Sequence, residues 1–335
     1  MGSEKIRVLI VDDSALMREA LRVILEEDPS VEVIGIAKDG REGVEKALAL
    51  KPNVITMDLK MPVMTGLEAI EKIMEEMPIP IVVVSSMDTS VVVKALSIGA
   101  MDFVAVSNDI DTIAKELIDK VKIASRVKAI RRFKVKPYRA TSERITRGKV
   151  SKIIVVGVST GGPQALQEML SKIPEDFCAG ILIVQHMSKG FIEGLAEWLN
   201  ASSSLDVRVA KAGDELKQGL ALLAPDDYNM CIGRDGVIVL KENMLKTATH
   251  IPSIDATMKS AAESYRENAV GVIMTGMGRD GVDGIRAIKG AGGTTIAQDQ
   301  NSSVIFGMNK MAIETGCVDR IVSISEMAKV IAGVV

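Results

Sequence analysis

The sequence predicts two α/β domains, each built around a largely parallel β-sheet. Its 335 residues are long for one domain, and each half is large enough to bury a core of its own. Short β-branched runs alternate with stretches in which apolar residues recur at helical spacing, which favours parallel strands joined by helices. A strongly basic stretch interrupts this alternation, so we place the domain boundary there.

The first domain, residues 1–122, is predicted to hold five strands. Each is a short apolar run bounded by turn residues, and the runs read IRVLIV, VEVIGIA, NVITM, IPIVVVS and DFVAV. The stretches between them, SALMREALRVILEE, REGVEKALAL, GLEAIEKIMEEM and VVVKALSIG, space their apolar residues as amphipathic helices do. This alternation predicts a five-stranded parallel sheet with helices on both faces.

Residues 123–150 are predicted to form a basic linker. Between Lys120 and Lys152 the chain holds 13 Lys or Arg residues and a single acid, Glu143, so the stretch carries a formal charge of +12. A solvated connector is the ordinary interpretation. The alternative is a hinge that lies across an acidic domain surface and changes when the domains rearrange.

The second domain, residues 151–335, is predicted to be doubly wound and mostly parallel. Its strand-like runs read SKIIVVGV, GILIVQH, GLALLAP, AVGVIMTG and GTTIAQ, and helical patterns separate several of them. The segment NMCIG-RDG-VIVLK places two further strands around an Asp-Gly turn. That spacing is typical of an antiparallel hairpin.

The composition excludes several classes of protein. Aromatic residues make up only 3% of the chain and the net charge is −3, which argues against binding of nucleic acid or other polyanions. The three cysteines are scattered singly, so a disulfide framework or a Cys-rich zinc site is not expected. Without a signal peptide or a long apolar run, the sequence predicts a cytoplasmic protein that does not insert into membranes.

Three carboxylates follow predicted strands of the first domain. Asp12 and Asp13 end the first strand, and Asp58 ends the third. The carboxyl ends of parallel strands border the ligand crevice of such a sheet, and carboxylates gathered there repel one another unless a cation such as Mg²⁺ joins them. The alternative is that Asp13 or Ser14 only caps the following helix.

The segments LIVDDSALMREAL, VITMDLKMPVMTGLEAI, VVVSSM and GAMDFV resemble the receiver domain of two-component response regulators across its whole length. The resemblance implies a flavodoxin-like fold that is phosphorylated with the help of Mg²⁺. The implied roles are Asp58 as the phosphoryl acceptor, Asp12, Asp13, Asp58 and the backbone carbonyl of Lys60 as Mg²⁺ ligands, Ser85 as the switch hydroxyl and Phe103 as the switch aromatic.

One feature departs from the receiver family. The family carries Lys and Pro three and four residues after the switch aromatic, and here these positions are Val106 and Ser107. That lysine ordinarily pairs with the acceptor carboxylate or its phosphoryl group, a charge-assisted contact typically worth about 1.5–3 kcal/mol. We therefore predict weaker or altered switching by phosphorylation.

A candidate nucleophile lies in the second domain. Ser159 is the centre of the segment GVSTG, which fits the G-x-S-x-G turn that exposes a serine between a strand and a helix. The N-terminus of that helix favours developing negative charge. The alternatives are that Ser159 caps the helix or that the loop binds a phosphate group.

A serine nucleophile needs a base, and the chain has two histidines, His186 and His250. His186 directly follows a predicted strand and is therefore expected at the same sheet edge as Ser159. Asp280 also follows a strand, so these residues can converge there. The carboxylate is then expected on the imidazole Nδ1–H, where it fixes the tautomer.

Two other arrangements fit parts of the sequence. A set of Ser159, Asp226 or Asp227, and His250 follows the chain order of α/β-hydrolases, and residue patterns alone do not decide between the two sets. The segment GMGRDG, residues 276–281, also matches the G-x-G-x-x-G of dinucleotide-binding loops. It lies late in its domain, however, and its carboxylate would oppose a pyrophosphate.

The segments GVSTGGPQAL, VQHMSKGF, APDDYNM, PSID, MTGMGRDGVDG and AQDQNSSVIFGM resemble the catalytic domain of chemotaxis response-regulator protein-glutamate methylesterases. Together with the receiver, the resemblance spans essentially the whole chain. It implies Ser159 as the nucleophile, His186 as the base and Asp280 as the orienting acid. It also implies that the backbone N–H of Met277 binds the oxyanion, with Thr160 beside the nucleophile.

The resemblance implies a phosphorylation-regulated esterase that hydrolyses glutamate γ-methyl esters on methyl-accepting chemoreceptors and also deamidates receptor glutamines. A chemotaxis histidine kinase is the implied phosphodonor. Mg²⁺ serves the receiver, and the esterase reaction is expected to need no cofactor. The alternative is a phosphorylation-dependent binding module with a vestigial esterase domain, which the absence of a lysine at position 106 favours and the complete Ser-His-Asp set opposes.

Overall fold

The computed structural model describes residues 4–86, 89–106, 110–127, 147–242 and 251–335. The chain divides into two compact units, Met1–Lys134 and Val135–Val335. Residues 128–146 of the predicted linker lie outside the described residues, as do Ser107 and His250.

The first unit is a five-stranded parallel sheet, which confirms the predicted architecture. Its strands are β1 (Ile6–Val11), β2 (Val31–Ala37), β3 (Val54–Met57), β4 (Ile81–Ser85) and β5 (Asp102–Ala105). Its helices are α1 (Ala15–Glu26), α2 (Gly40–Leu50), α3 (Gly66–Glu76), α4 (Thr89–Ile98) and α5 (Ile110–Ala124).

The strand order is β2-β1-β3-β4-β5, so β1 and β3 are neighbours in the sheet. From β1 the chain first moves to one side to form β2, and then returns to the other side to form β3. A crevice opens beyond the carboxyl ends of the strands at such a reversal. Asp12 follows β1 and Asp58 follows β3, so both carboxylates lie at this edge.

The second unit contains seven parallel strands and two antiparallel pairs. The parallel strands are β7 (Ile153–Val158), β8 (Gly180–Gln185), β9 (Asp206–Val209), β11 (Leu220–Leu223), β14 (Ala269–Ile273), β15 (Thr294–Gln298) and β16 (Arg320–Val322). They lie in the order β16-β15-β14-β7-β8-β11-β9. The antiparallel pairs are β6 (Arg147–Lys149) with β10 (Lys217–Gln218), and the predicted hairpin, β12 (Tyr228–Ile232) with β13 (Ile238–Glu242).

Helices cover both faces of the seven-stranded sheet. They are α6 (Gly162–Leu170), α7 (Ile192–Ser202), α8 (Ile254–Tyr265), α9 (Val282–Gly290), α10 (Met308–Glu314) and α11 (Ile324–Ala332). Alternate residues of the fully buried strand β7 enter different cores: Ile154 packs in the cluster that holds α6, α7 and α11, and Ile153 in the one that holds α8, α9 and α10. None of the helices in the described parts of the chain is long and apolar enough to cross a membrane.

The two edge strands of this sheet, β9 and β16, were not among the predicted strands. β9 alternates buried and half-buried residues, and β16 has three residues of which none is buried. Their backbones pair with β11 and β15, respectively. A strand that is held mainly by its neighbour's backbone carries little apolar signal in its own sequence.

Candidate active site

The three residues of the preferred catalytic set follow three adjacent strands. Ser159 follows β7, His186 follows β8, and Asp280 lies in the loop after β14, which is the other neighbour of β7. The backbone N–H of Ser159 donates to the carbonyl of Thr275 at 3.0 Å, and that of His186 donates to the carbonyl of Val158 at 3.0 Å. The backbone hydrogen bonds between neighbouring strands thus continue past the strand ends and hold all three loops at one edge of the sheet.

The Ser159 turn depends on two glycines, Gly161 within the turn and Gly276 in the loop packed against it. Gly161 has φ +75°, which is the left-handed region, and a Cβ there would lie 2.5 Å from the Val304 side chain. A Cβ on Gly276 would lie 2.7 Å from the Cβ of Ser159. The nucleophile candidate therefore packs directly against the loop that carries Met277 and Asp280.

The proposal that Ser159 merely caps helix α6 is wrong. The N-cap residue is Gly161, and no side chain makes a capping hydrogen bond at this end. The Ser159 carbonyl instead accepts a hydrogen bond from Gly162 N at 2.8 Å, which closes the tight turn. The serine hydroxyl is consequently not used by the helix.

His186 and Asp280 form the pair that the sequence predicts, but through the other ring nitrogen. His186 Nε2 lies 2.9 Å from Asp280 Oδ2, and both side chains are nearly buried. The expectation that Nδ1 contacts the carboxylate is wrong. Which nitrogen faces the acid depends on the path of the loop after β8, which a residue pattern does not encode.

The Asp280 carboxylate is held by the start of helix α8. Oδ2 accepts from Ile254 N at 2.8 Å, and Oδ1 accepts from Asp255 N at 2.9 Å and from Ser253 Oγ at 3.0 Å. Burial raises the pKa of Asp280, but hydrogen bonds from His186 and from these backbone amides outweigh it and hold the pKa below its usual range. Asp280 is therefore an ionised, fixed acceptor.

Asp255 makes the reciprocal contact and was not singled out from the sequence. Its Oδ1 accepts from Gly281 N at 3.0 Å and from Gly284 N at 2.6 Å, at the start of helix α9. Burial raises the pKa of Asp255, and the neighbouring Asp280 charge adds to this effect. The available signal was the N-cap Ser253 followed by an acid in the first turn.

Gln185 is a second residue that sequence reasoning missed. Its side chain is buried at the end of β8, and Nε2 donates to the carbonyl of Ser159 at 2.9 Å and to that of His186 at 2.7 Å. One amide group thus joins the loops of the candidate nucleophile and base. The only signal in the sequence was a polar residue at the end of an apolar strand.

The predicted oxyanion residues lie around the same turn. The side chain of Met277 is 53% exposed, and its backbone belongs to the loop packed against Ser159. The Thr160 carbonyl accepts from Thr275 Oγ1 at 2.9 Å. In the described residues, no acceptor is bonded to the N–H of either Met277 or Thr160. The GMGRDG loop therefore presents amides and Asp280, with Gly278 and Gly281 at positive φ.

The rival aspartates contact the loop that follows His186. Asp226 Oδ2 accepts from Gly190 N at 2.7 Å, and Asp227 pairs with Lys189. Burial raises the pKa of Asp226. The rival base, His250, lies outside the described residues. Among the described residues, the contact with a histidine is made by Asp280 and not by either of these acids.

In the first unit, Asp58 and Ser85 are in contact. Ser85 Oγ donates to Asp58 Oδ1 at 2.8 Å, and Lys60 N donates to Oδ2 at 3.2 Å. Burial raises the pKa of Asp58 despite these hydrogen bonds, and the Asp13 charge raises it further. In the described residues, Asp58 forms no ion pair with a lysine or arginine.

Asp12 is the most strongly perturbed carboxylate of this edge. Burial raises its pKa to about 6, and the charges of Asp58 and Asp13 add to the effect, although Ser14 N donates to it at 2.8 Å. Across the described ranges, no three His, Cys, Asp or Glu side chains are arranged to hold a metal ion. Ser14, rather than Asp13, caps helix α1.

Phe103 in β5 and Lys120 in α5 pack against each other. Phe103 is 2% exposed, and the Nζ of Lys120 lies 5.1 Å from its ring centre. The same ammonium pairs with Asp102 at 2.9 Å and Glu116 at 2.8 Å and bonds to the Phe103 carbonyl. Lys120 is thus engaged by β5 and α5, and is not paired with Asp58.

Two family models match the chain. The model described as CheB methylesterase matches residues 154–331, and the one described as response regulator receiver domain matches residues 8–118. The first covers the seven-stranded unit with Ser159, His186 and Asp280. The second covers the five-stranded unit with Asp12, Asp58 and Phe103.

Curated relatives match over nearly the full chain. A protein-glutamate methylesterase/protein-glutamine glutaminase of Koribacter versatilis is 41% identical over 98% of this chain and 95% of its own length. One of Pyrococcus horikoshii is 42% identical over 98% and 93%. The crystal structure of the Thermotoga maritima CheB methylesterase catalytic domain is 37% identical, covers 55% of this chain and 98% of that one, and superposes with a TM-score of 0.53. The chain therefore belongs to the CheB methylesterase family, and it is a hydrolase that carries a response regulator receiver domain ahead of its methylesterase domain.

Proposed function

We propose that this protein hydrolyses γ-methyl esters of glutamate residues on chemoreceptors, in the cytoplasm, under control of phosphorylation at its receiver domain. The observation that carries the proposal is the 2.9 Å contact of His186 Nε2 with Asp280 Oδ2 beside the Ser159 turn. The names of the relatives support the substrate class. The proposed limits are 1–122 for the receiver, 123–150 for the linker and 151–335 for the esterase.

In the first half of the reaction, Ser159 Oγ attacks the carbonyl carbon of the ester. His186 takes the serine proton on Nδ1, because Nε2 is engaged by Asp280, whose charge stabilises the imidazolium. The bond to the methoxy oxygen then breaks, and the leaving oxygen takes the proton from His186 and departs as methanol. The glutamyl group remains as an ester on Ser159. General base catalysis of this kind contributes about 10²–10⁴-fold.

In the second half, water attacks the same carbonyl carbon while His186 again accepts the proton. The bond to Ser159 Oγ breaks, the serine recovers its proton, and the receptor glutamate is released. Negative charge on the carbonyl oxygen is stabilised in both halves by the N–H groups of Met277 and Thr160. One such donor is typically worth about 2.7–4 kcal/mol.

The same groups serve deamidation of receptor glutamine. Ser159 attacks the amide carbon, and His186 delivers its proton to the departing nitrogen, which leaves as ammonia. The glutaminase part of the relatives' names supports this second activity. An amide leaves less readily than a methoxide, so the reaction depends more strongly on proton delivery by His186.

In the receiver, we propose that Asp58 accepts a phosphoryl group from a chemotaxis histidine kinase. Asp12, Asp13, Asp58 and the backbone carbonyl of Lys60 would hold Mg²⁺, which neutralises charge around the transferred group. Asp12 and Asp58 suit this ion, because their raised pKa values reflect buried charges that a cation would relieve, and Asp13 would have to approach them to complete the set. Ser85 and Phe103 would change their contacts on phosphorylation.

Methanol release from methylated receptor signalling fragments tests the proposal, with Ser159→Ala as the control and with or without acetyl phosphate and Mg²⁺. Release that vanishes in Ser159→Ala and rises with the phosphodonor supports both the esterase and its control. Release that does not change with the phosphodonor would support the esterase activity but not its control by the receiver. Absence of release in every condition favours the binding module with a vestigial esterase domain.

A further inference from the structure

Thr275 connects the two loops that carry the proposed oxyanion donors. It follows β14 and is 0% exposed. Its carbonyl accepts from Ser159 N at 3.0 Å, and its Oγ1 donates to the Thr160 carbonyl at 2.9 Å. The hydroxyl also accepts from Ile305 N at 2.9 Å, and the Thr275 N–H donates to Gln298 Oε1 at 2.9 Å.

These bonds fix the peptide groups on either side of the nucleophile. In a trans peptide group the N–H and the C=O lie in one plane and point in opposite directions. Thr275 holds the N–H that precedes the Ser159 Cα and the C=O that follows the Thr160 Cα. The intervening carbonyl, that of Ser159, is held by Gln185 Nε2 at 2.9 Å. The Thr160 N–H therefore points away from Gln185 in a fixed direction.

The same residue orients the second donor. Met277 follows Thr275 by two residues, and Gly276 between them is held at both its N–H and its C=O. Gly276 N donates to Ile305 O at 3.1 Å, and Gly276 O accepts from Met308 N at 2.9 Å. The Met277 N–H shares its peptide group with the Gly276 carbonyl, so the bond from Met308 N fixes its direction. The Thr275 hydroxyl supports this arrangement through Ile305, whose N–H it accepts and whose carbonyl accepts from Gly276 N.

We propose that Thr275 is a positioning residue for the hydrolytic reaction, holding the Thr160 and Met277 amides at one fixed spacing around Ser159. The inference rests on the proposed function, because it assumes attack by Ser159. Thr275 itself is buried behind the turn and does not touch the reacting atoms. Loss of its hydroxyl would release the Thr160 carbonyl, and with it the Thr160–Gly161 peptide that follows the donor amide, and would leave the Ile305 N–H without its acceptor.

The test compares Thr275→Val with Thr275→Ser and with Thr295→Val. Thr295 in β15 is a matched control because it is also 0% exposed. Its Oγ1 donates to Cys317 O at 2.6 Å and accepts from Asp319 N at 3.1 Å. Both valine variants therefore lose one donated and one accepted hydrogen bond of a buried threonine hydroxyl, and only Thr275→Val affects the Ser159 turn.

The readouts are the rate at which a fluorophosphonate labels Ser159, the kcat and KM of methanol release, and thermal unfolding of the full chain. Removal of an oxyanion donor lowers kcat by about 10²–10³-fold, so its displacement in Thr275→Val should lower labelling and kcat by about 10–100-fold. KM should stay near the wild-type value. Thr275→Ser should recover most of the activity, and Thr295→Val should label like the wild type while its unfolding temperature falls comparably.

Equal effects of Thr275→Val and Thr295→Val on labelling, or wild-type kcat in Thr275→Val, would overturn the positioning role. Failure of the proposed function would be seen in the labelling of the wild type and of Ser159→Ala. The wild type would then remain unlabelled, or Ser159→Ala would be labelled as fast as the wild type, and the role of Thr275 would fall with the esterase.

Discussion

At the scale of single residues, the proposed role of His186 as a base depends on the ionised state of Asp280. Asp280→Asn keeps the shape but removes the charge that stabilises the imidazolium, and it allows the wrong tautomer. We expect kcat for methanol release to fall by about 10⁴-fold. Asp283→Asn, on the nearby start of α9 and about half exposed, is the control and should retain wild-type activity.

Asp12 gives a pH-dependent prediction. Its pKa is raised to about 6, so the folded receiver binds this proton more tightly than the unfolded chain does. The associated stability is present at low pH and is lost as the pH rises from about 4 to about 6. Asp12→Asn removes the unfavourable free energy of the buried charge above about pH 6. This free energy is at most about 3 kcal/mol before solvent screening.

Calorimetry of the full chain checks this prediction. Asp12→Asn should raise the receiver transition at pH 7, leave it nearly unchanged at pH 4, and reduce its response to Mg²⁺. Asp119→Asn changes an exposed acid on α5 and should do none of these. A lower receiver transition in Asp12→Asn at pH 7 would contradict the assignment of Asp12 as a repelled, buried charge.

At the scale of elements, helices α8 and α9 are tied together at their N-termini by two exchanged carboxylates. Asp280, just before α9, binds the first amides of α8, and Asp255, in the first turn of α8, binds those of α9. Asp255→Ala leaves two amides of α9 without their acceptor. By analogy with a lost N-cap, we expect about 1–2 kcal/mol lower stability.

Thermal unfolding and methanol release of the same variant check this prediction. Activity should fall less than in Asp280→Asn, because His186 keeps its direct partner. Asp283→Ala is the control, since that first-turn acid of α9 is bonded to Arg286 rather than to the helix start. A loss of stability in Asp283→Ala as large as in Asp255→Ala would argue against the reciprocal contact.

The bridge made by Gln185 gives a further prediction for the strand end. Gln185→Met should remove the side-chain donor from the carbonyls of Ser159 and His186 and leave Ser159 O bonded to Gly162 N, at a cost of about 1–3 kcal/mol. Fluorophosphonate labelling should slow by about tenfold or more. Gln167→Met in α6 replaces another buried glutamine and should label normally. Equal labelling of the two variants would remove Gln185 from the site.

The strands and the positions of the site residues could be predicted because both depend on local pattern. Buried β-branched runs identify β7, β8 and β14, and parallel pairing places the residues that follow them at one edge. The contact of Nε2 with Asp280, and the roles of Asp255 and Gln185, could not be predicted. They depend on side chains that meet only after the sheet has formed; His186 and Asp280, for example, are 94 residues apart.

At the scale of the whole molecule, the departure at Val106 bears on the proposed control of the esterase rate by phosphorylation. Asp58 has no ammonium partner among the described residues, and Lys120 is held by Asp102 and Glu116. We expect Val106→Lys to increase the ratio of methanol release with and without acetyl phosphate. A restored charge-assisted contact of about 1.5–3 kcal/mol sets the upper limit. Val106→Met, of similar length but uncharged, should leave the ratio unchanged, and an equal ratio in all three proteins would contradict the explanation.

The position of β14 between β7 and β15 also determines when the enzyme becomes active during its synthesis. The ribosome delivers the receiver first, then Ser159 and His186, and only afterwards the strand that separates β7 from β15 and brings Asp280. A nascent chain that ends before β14 therefore carries a serine and a histidine without their acid. Because domains fold as units and the earlier ones form first, we expect the receiver unit to be complete before the hydrolytic one can act.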